Sequence, residues 1–156
     1  VELYAQHLIN AGELEQALTL YKLHLADQPP QLDYYRAVID IETYRKRLDS
    51  VYLYIDRAFA MAARAVELDG NNATLLDTYA WVLFRLGRLQ EARRTMQQAI
   101  SFDRSENPEL YLHYGDILAA LGEKFMAETY WRKALEKGYD DPRAIEERIR
   151  QLKSKP

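Results

Sequence analysis

The sequence predicts an all-α protein made of successive helix pairs, and three observations support this fold class. Segments 76–83 and 111–118 repeat apolar or small residues at i, i+3, i+4 and i+7, the spacing of one helix face. Six glycines and five prolines in 156 residues are few, and no segment shows a clear run of alternating apolar and polar residues, so strands are not expected. Small residues recur at intervals of 41, 34 and 35 at Ala17, Ala58, Ala92 and Ala127.

The first two helix pairs are predicted at 1–10 with 14–27 and at 31–47 with 50–68. Gly12 stands between two helical patterns and separates the first pair, which Pro29 ends. The second pair lacks a glycine turn, and the basic segment 45–50 replaces it. This pair also carries seven extra residues. Because seven residues are nearly two helical turns, we expect one added turn on each of its helices.

The later helices are predicted at 73–86, 89–103, 107–121, 124–137 and 141–153. Gly87 and Gly122 mark the turns within the third and fourth pairs, and Pro108 opens the fourth pair. Asp141 is an N-cap followed by a proline in the first turn, so it begins the last helix. That helix has one narrow apolar stripe and is otherwise charged, which is expected of a terminal capping helix with one side in water.

The repeated pattern resembles the tetratricopeptide repeat (TPR), whose units are antiparallel helix pairs of about 34 residues. In this family a small residue on the first helix of a pair meets a small residue on the second. Ala80 with Ala92, and Gly115 with Ala127, match this pairing. The second pair departs from the pattern at two positions. Ile39 stands where the family has a small residue, and Glu42 stands where the family has an apolar residue.

The resemblance implies one domain over residues 1–156, an α-solenoid of four units and a capping helix. The units lie at about 1–31, 32–72, 73–106 and 107–140. They are expected to form a right-handed superhelix with the first helix of each pair on the concave wall. The segments 76–81 and 113–116 resemble those near the C-terminal end of larger bacterial TPR proteins, and the chain has no initiator Met. We therefore expect the C-terminal array of a longer bacterial protein.

By the family pattern, residues around the small packing residue of each first helix face a concave groove, in which such arrays bind peptides or partner proteins. The resemblance therefore implies a non-catalytic scaffold with a protein or peptide partner. The predicted groove residues are Gln6, Asn10, Arg36, Asp40, Tyr44, Asp77, Trp81, Phe84, Arg85, Leu112, His113 and Asp116.

Trp81 is the candidate anchor of this groove, since buried tryptophans often dominate interface energetics. The alternative is that Trp81 packs between the third and second pairs. The groove residues include no lysine and are mildly acidic. We therefore expect an apolar and basic partner segment, and not the clamp with which TPR co-chaperones bind the C-terminal carboxylate of a chaperone.

Composition disfavours several other functions. The chain has no cysteine, which excludes disulfides, thiolate zinc sites and a cysteine nucleophile. The three histidines lack metal-ligand spacing, and there is no glycine-rich phosphate loop, so no catalytic residue, metal or cofactor is predicted. With 21 basic and 24 acidic residues the formal charge is −3, which argues against dedicated binding to nucleic acid or to anionic membranes.

Three features each leave two interpretations open. The basic segment 45–47 is either a solvated helix end or a phosphate contact. Tyr44, Tyr52 and Tyr54 either pack the longer second pair or form an exposed aromatic patch. The whole chain either binds a partner in its groove or has a role in assembly. In the second case it docks on another segment or forms a homo-oligomer through its N-terminal end, where no polar cap precedes Val1.

Overall fold

The computed structural model describes residues 1–25 and 31–156, and these form nine α-helices and no strand. The predicted all-α fold class is therefore confirmed for this part of the chain. The predicted role of Pro29 and the end of the helix predicted at 14–27 fall outside the described residues. The helices are α1 (Glu2–Asn10), α2 (Leu14–His24), α3 (Leu32–Tyr44), α4 (Leu48–Leu68), α5 (Ala73–Arg85), α6 (Leu89–Phe102), α7 (Pro108–Ala120), α8 (Lys124–Glu136) and α9 (Pro142–Ser154).

The chain divides into two compact units, an N-terminal unit (Val1–Met61) and a C-terminal unit (Ala62–Pro156), and the boundary falls within α4. In the N-terminal unit α2 packs against both α1 and α3. In the C-terminal unit α5 to α9 pack consecutively, and α5 also contacts α7. This consecutive packing is that of an α-solenoid. The single domain and the right-handed superhelix stay predictions. No described helix is long and apolar enough to span a bilayer.

Three of the turns between paired helices use glycine in the left-handed region. Gly12, Gly87 and Gly122 have φ values of 80°, 77° and 81°. At the equivalent position of the α3–α4 turn, two residues before the next helix, Lys46 has φ 58°. The α3–α4 turn therefore has the same left-handed conformation as the glycine turns, although it has lysine in place of glycine, the residue that adopts this conformation most readily.

The seven extra residues all lie in α4. This helix has 21 residues, against 14 in α6 and 13 in α8. By contrast α3 has 13, the same number as α5 and α7. The expectation of one added turn on each helix is wrong. A single helix accommodates the insertion because two whole turns leave its buried face, which includes Val51, Ile55 and Ala58, on one side.

One contact between α7 and α8 requires glycine. A Cβ atom at Gly115 would lie 2.4 Å from Cδ1 and 2.5 Å from Nε1 of Trp131. The indole Nε1 donates a hydrogen bond to Oδ1 of Asp116 at 3.0 Å, which fixes the ring in this position. The absence of a side chain at Gly115 therefore provides the space for the largest residue of α8.

The N-terminal unit instead contains a buried charge. Glu42 on α3 is 2 % exposed, and Nζ of Lys22 on α2 donates to its Oε1 at 2.7 Å. Oε2 has no hydrogen bond among the described residues, although an Arg45 nitrogen lies 3.7 Å away. A carboxylate thus occupies the position at which an apolar residue was expected, and Lys22 neutralises it.

Candidate partner-binding surfaces

An open pocket of about 730 Å³ lies between α1, α2 and α3, and we call it the α1–α3 pocket. The predicted groove residues Gln6, Asp40 and Tyr44 line it, whereas Asn10 and Arg36 do not. Asn10 is exposed and accepts a hydrogen bond from the Gln6 side chain at 3.0 Å. The complete lining is Gln6, Ile9, Gly12, Leu14, Tyr21, Ala37, Asp40, Ile41 and Tyr44.

The α1–α3 pocket follows from helical spacing. Residues 37, 40, 41 and 44 of α3 lie at i, i+3, i+4 and i+7, so they share one face of the helix. Ala37 is small and leaves room, while Tyr21 of α2 is buried beside it. Burial, assisted by the negative charge of Glu2, raises the pKa of Tyr21, so its phenol stays neutral at physiological pH. The pocket therefore has mainly apolar walls with one carboxylate, that of Asp40, on the exposed side.

Two predicted groove residues of the C-terminal unit contact each other. Nδ1 of His113 on α7 lies 2.7 Å from Oδ1 of Asp77 on α5, and both side chains are buried. Leu112, beside His113, is also buried. These three residues pack within the unit, so their predicted role in contacting a partner stays a prediction without an exposed surface to support it.

Trp81 is only 9 % exposed. The guanidinium of Arg85, one turn along α5, lies 5.7 Å from the centroid of its ring. Most of the indole surface is therefore already covered by atoms of the chain itself. The indole therefore offers little exposed surface to a partner, and the role of Trp81 as an anchor stays a prediction.

A second open pocket, of about 600 Å³, lies between α5, α7, α8 and α9, and we call it the α7–α9 pocket. Phe84 and Asp116 are the predicted groove residues that line it. Asp116 is held by Arg148 of α9, whose Nε donates to Oδ1 at 2.8 Å and whose terminal nitrogen donates to Oδ2 at 3.2 Å. The capping helix thus docks on a predicted groove residue.

Sequence reasoning missed Arg148, because α9 was interpreted only as a cap. One signal was present: Arg148 adjoins the buried Ile149 and lies one turn from Ala144, on the side of α9 that packs. Within residues 1–25 and 31–156, no group of three or more His, Asp or Glu side chains could hold a metal ion.

Residues 73–106 match the family model described as tetratricopeptide repeat. No curated protein matches the chain. Among solved structures, TTC0263, a thermophilic TPR protein of Thermus thermophilus, aligns with a TM-score of 0.68 and 20 % identity, over 97 % of this chain and 78 % of that one.

Two further similar structures contain a bound peptide. The second TPR domain of human RPAP3, in complex with the HSP70 peptide SGPTIEEVD, aligns with a TM-score of 0.58 and 24 % identity over 73 % of this chain and 93 % of that one. The first TPR of Spaghetti (RPAP3), bound to the HSP90 peptide SRMEEVD, aligns with a TM-score of 0.56 and 17 % identity over 79 % of this chain and 90 % of that one. At these identities the similarity establishes the fold.

Proposed function

Because residues 73–106 are a tetratricopeptide repeat and the chain has the TPR fold, we propose that it is a non-catalytic scaffold that binds a segment of a partner protein. One observation carries the proposal. Groove residues predicted on two successive first helices, Gln6 on α1 and Asp40 and Tyr44 on α3, meet around the α1–α3 pocket. An open, largely apolar pocket with few polar groups is a typical binding site.

The chemistry of the α1–α3 pocket favours an apolar side chain followed by a basic one. Ile9, Leu14 and Ile41 offer apolar contact, and the carboxylate of Asp40 lies on the exposed side. A partner lysine or arginine there would gain a charge-assisted hydrogen bond. The RPAP3 domains bind peptides that end in EEVD, whereas the groove residues predicted here include no lysine. We therefore propose a basic and apolar partner segment in place of an acidic tail.

Site-specific photo-crosslinking tests this proposal. A benzophenone amino acid at Gln6 should crosslink the partner in cells that naturally produce the chain, and the same probe at Gln90, exposed on α6, is the matched control. Asp40→Lys should weaken binding of the captured segment by about tenfold or more, because it reverses the charge beside the pocket. Equal crosslinks from Gln90, or capture of mainly acidic C-terminal tails, would contradict the proposal.

The role of Trp81 is tested separately. We expect Trp81→Ala to lower the free energy of unfolding by about 3–5 kcal/mol, as for a buried aromatic residue. Urea denaturation measures this loss. If the variant instead kept its stability and lost the partner, Trp81 would be an anchor and the centre of the site would move from α3 to α5.

A second candidate function is assembly through the outer face of α1 and α2. Leu3, Tyr4 and Leu23 are largely exposed there. Tyr4 and Leu23 also line a shallow concavity of about 310 Å³. Apolar groups exposed on neighbouring helices favour contact with a further helix or with a second copy of the chain.

Light scattering distinguishes this candidate from the first. If the chain assembles with a second copy of itself, light scattering should show a concentration-dependent dimer, and Leu23→Glu should dissociate that dimer. Leu68→Glu, at another exposed leucine, is the matched control and should leave the dimer unchanged. A monomer at all concentrations would reject homodimerisation and leave the groove proposal intact.

A further inference from the structure

Apolar side chains are exposed on both sides of the α3–α4 turn. Tyr44, the last residue of α3, is 78 % exposed, and Leu48 and Tyr52 on the first turns of α4 are 59 % and 63 % exposed. Leu48 and Tyr52 lie at i and i+4, so they share one face of the helix. Tyr54 differs, since it is half-buried and its ring lies 6.2 Å from that of Tyr35. Of the three tyrosines, one therefore packs and two are exposed.

Two cations lie within the same stretch. Lys46 and Arg47 are exposed, and neither makes an ion pair with a described residue. Arg45 differs, because it lies 2.5 Å from Glu15 and also approaches Glu42. Residues 46–50 line a concavity of about 350 Å³. We call Lys46, Arg47, Leu48 and Tyr52 the turn patch; Tyr44 lines the α1–α3 pocket and belongs to that site.

Lys46 also has an unusual backbone conformation. It adopts the left-handed conformation, which disfavours a residue with a side chain by about 1 kcal/mol relative to glycine. At Gly12, Gly87 and Gly122 an added Cβ would meet no atom within 4 Å, so these turns offer a side chain no packing. The turn conformation therefore does not require a lysine, since glycine adopts it with less strain.

We propose that the turn patch is a second docking surface, which binds an acidic and apolar segment of a partner protein. The Arg47 guanidinium can bind a carboxylate through two parallel hydrogen bonds, and Lys46 adds a second positive charge. Leu48 and Tyr52 offer apolar contact to the side chains between the acids. This surface selects the opposite charge from the α1–α3 pocket and therefore requires a different ligand.

A protein segment fits this surface better than a lipid bilayer does. Recognition of anionic membranes uses clusters of about four to eight cations, whereas the turn patch has two. Asp49, which is exposed among the residues that line the concavity, would also face the lipid head groups. A peptide can place its acids beside the cations and avoid Asp49.

The probe is a synthetic peptide in which glutamate alternates with leucine and phenylalanine, titrated into the ¹⁵N-labelled chain. We expect saturable shifts of the amide signals of residues 46–52. Lys46→Glu with Arg47→Glu should raise the Kd by about tenfold or more. Lys46→Gly should raise it by a smaller factor while the melting temperature stays the same or rises, which separates loss of binding from loss of folding. Arg94→Glu, at an exposed arginine of α6, is the control and should leave the Kd unchanged.

Several outcomes would overturn the proposal. They are equal binding of a peptide with lysine in place of glutamate, a Kd that the double charge reversal does not change, and shifts confined to Gln6, Ile9 and Asp40. Binding to phosphatidylcholine vesicles with about 30 % phosphatidylserine, without binding to the peptide, would identify a lipid surface instead. Shifts that grow with protein concentration alone would identify a second copy of the chain. None of these outcomes changes the crosslinking test at Gln6.

Discussion

Helices α3 and α7 are first helices of their pairs and have 13 residues each, yet they differ at positions that characterise the repeat. Counted back from the turn that follows each helix, the equivalent residues are Ile39 and Gly115, Glu42 and Leu118, and Lys46 and Gly122. In α7 all three positions match the family pattern, and in α3 none does.

Each departure in α3 is accommodated locally. Ile39 is fully buried, Glu42 is paired with Lys22, and Lys46 adopts the conformation of the glycine it replaces. The helix pair therefore depends on the position of its buried face and on the conformation of its turn. The residues typical of the family are one of several sets that provide both. Substitutions in either helix can break or sharpen this comparison.

The largest expected effect is at Gly115. Gly115→Ala places a Cβ 2.4 Å from the Trp131 ring, so the ring must move and its hydrogen bond to Asp116 is strained. We expect a loss of about 3 kcal/mol in the free energy of unfolding, measured by urea denaturation. Trp131→Leu removes the clash, so the double variant should lose less than the sum of the two single variants. Additive losses would contradict the steric explanation.

The buried charge of α3 gives the next effect. Lys22→Met leaves the Glu42 carboxylate buried without its main partner, and we expect a loss of about 2 kcal/mol. Glu42→Leu, which restores the residue type found at Leu118, should cost less, because the partly exposed Lys22 can reach water. The double variant should return close to the original stability. A double variant much less stable than the original chain would show that the pair itself stabilises α3.

The segments before the two helices also differ. Asp103 accepts hydrogen bonds from the backbone N–H groups of Ser105 and Asn107 and from the Ser105 hydroxyl, whereas Gln31, at the start of α3, makes no side-chain cap. Although burial opposes ionisation, these bonds hold the pKa of Asp103 below its ordinary value. Asp103→Ala should therefore destabilise the chain by about 1 kcal/mol at neutral pH.

The pH dependence of this effect has a definite sign. A lowered folded pKa stabilises the native state above the ordinary carboxyl pKa of about 4, and this stabilisation is lost as the pH falls through the folded value. The difference between Asp103→Ala and the original chain should shrink as the pH is lowered from about 5 to 3. A difference that grows on acidification would contradict this sign.

The smallest expected effect is at the turns. Lys46→Gly should raise the free energy of unfolding by about 0.5–1 kcal/mol, because glycine adopts positive φ without strain. Gly87→Lys should lower it by a similar amount. Thermal denaturation would show these as shifts of about 2–4 °C in opposite directions. A lower melting temperature for Lys46→Gly would mean that the lysine side chain stabilises the fold.

Most helix starts could be predicted from the sequence. Every predicted start lies within two residues of the observed one, because glycine turns and N-caps such as Asp141 act locally. The ends were less accurate: the helix predicted to reach residue 47 ends at Tyr44. The position of the extra turns could not be predicted, since a seven-residue insertion preserves the apolar face of whichever helix contains it.

The candidate site was less predictable than the fold. The family pattern placed Gln6, Asp40 and Tyr44 on neighbouring faces, and the α1–α3 pocket joins them. It could not predict that Asp116 is held by Arg148, 32 residues away, because that contact depends on how α9 docks. Local spacing indicates which face of a helix a residue occupies. Which partner it finds is decided by packing between distant segments.

The length of α4 also has an evolutionary consequence. Removing seven of its 21 residues would restore the length of α6 and rotate the remaining buried face by only about 20°. Removing five would rotate it by about 140°, so the buried residues before and after the deletion would no longer share one face of the helix. A deletion of four would rotate it by about 40°, so deletions of whole turns keep the buried face and a deletion of five does not. Relatives of this chain should therefore carry an α4 that is shorter by about one or two whole turns, or of the same length.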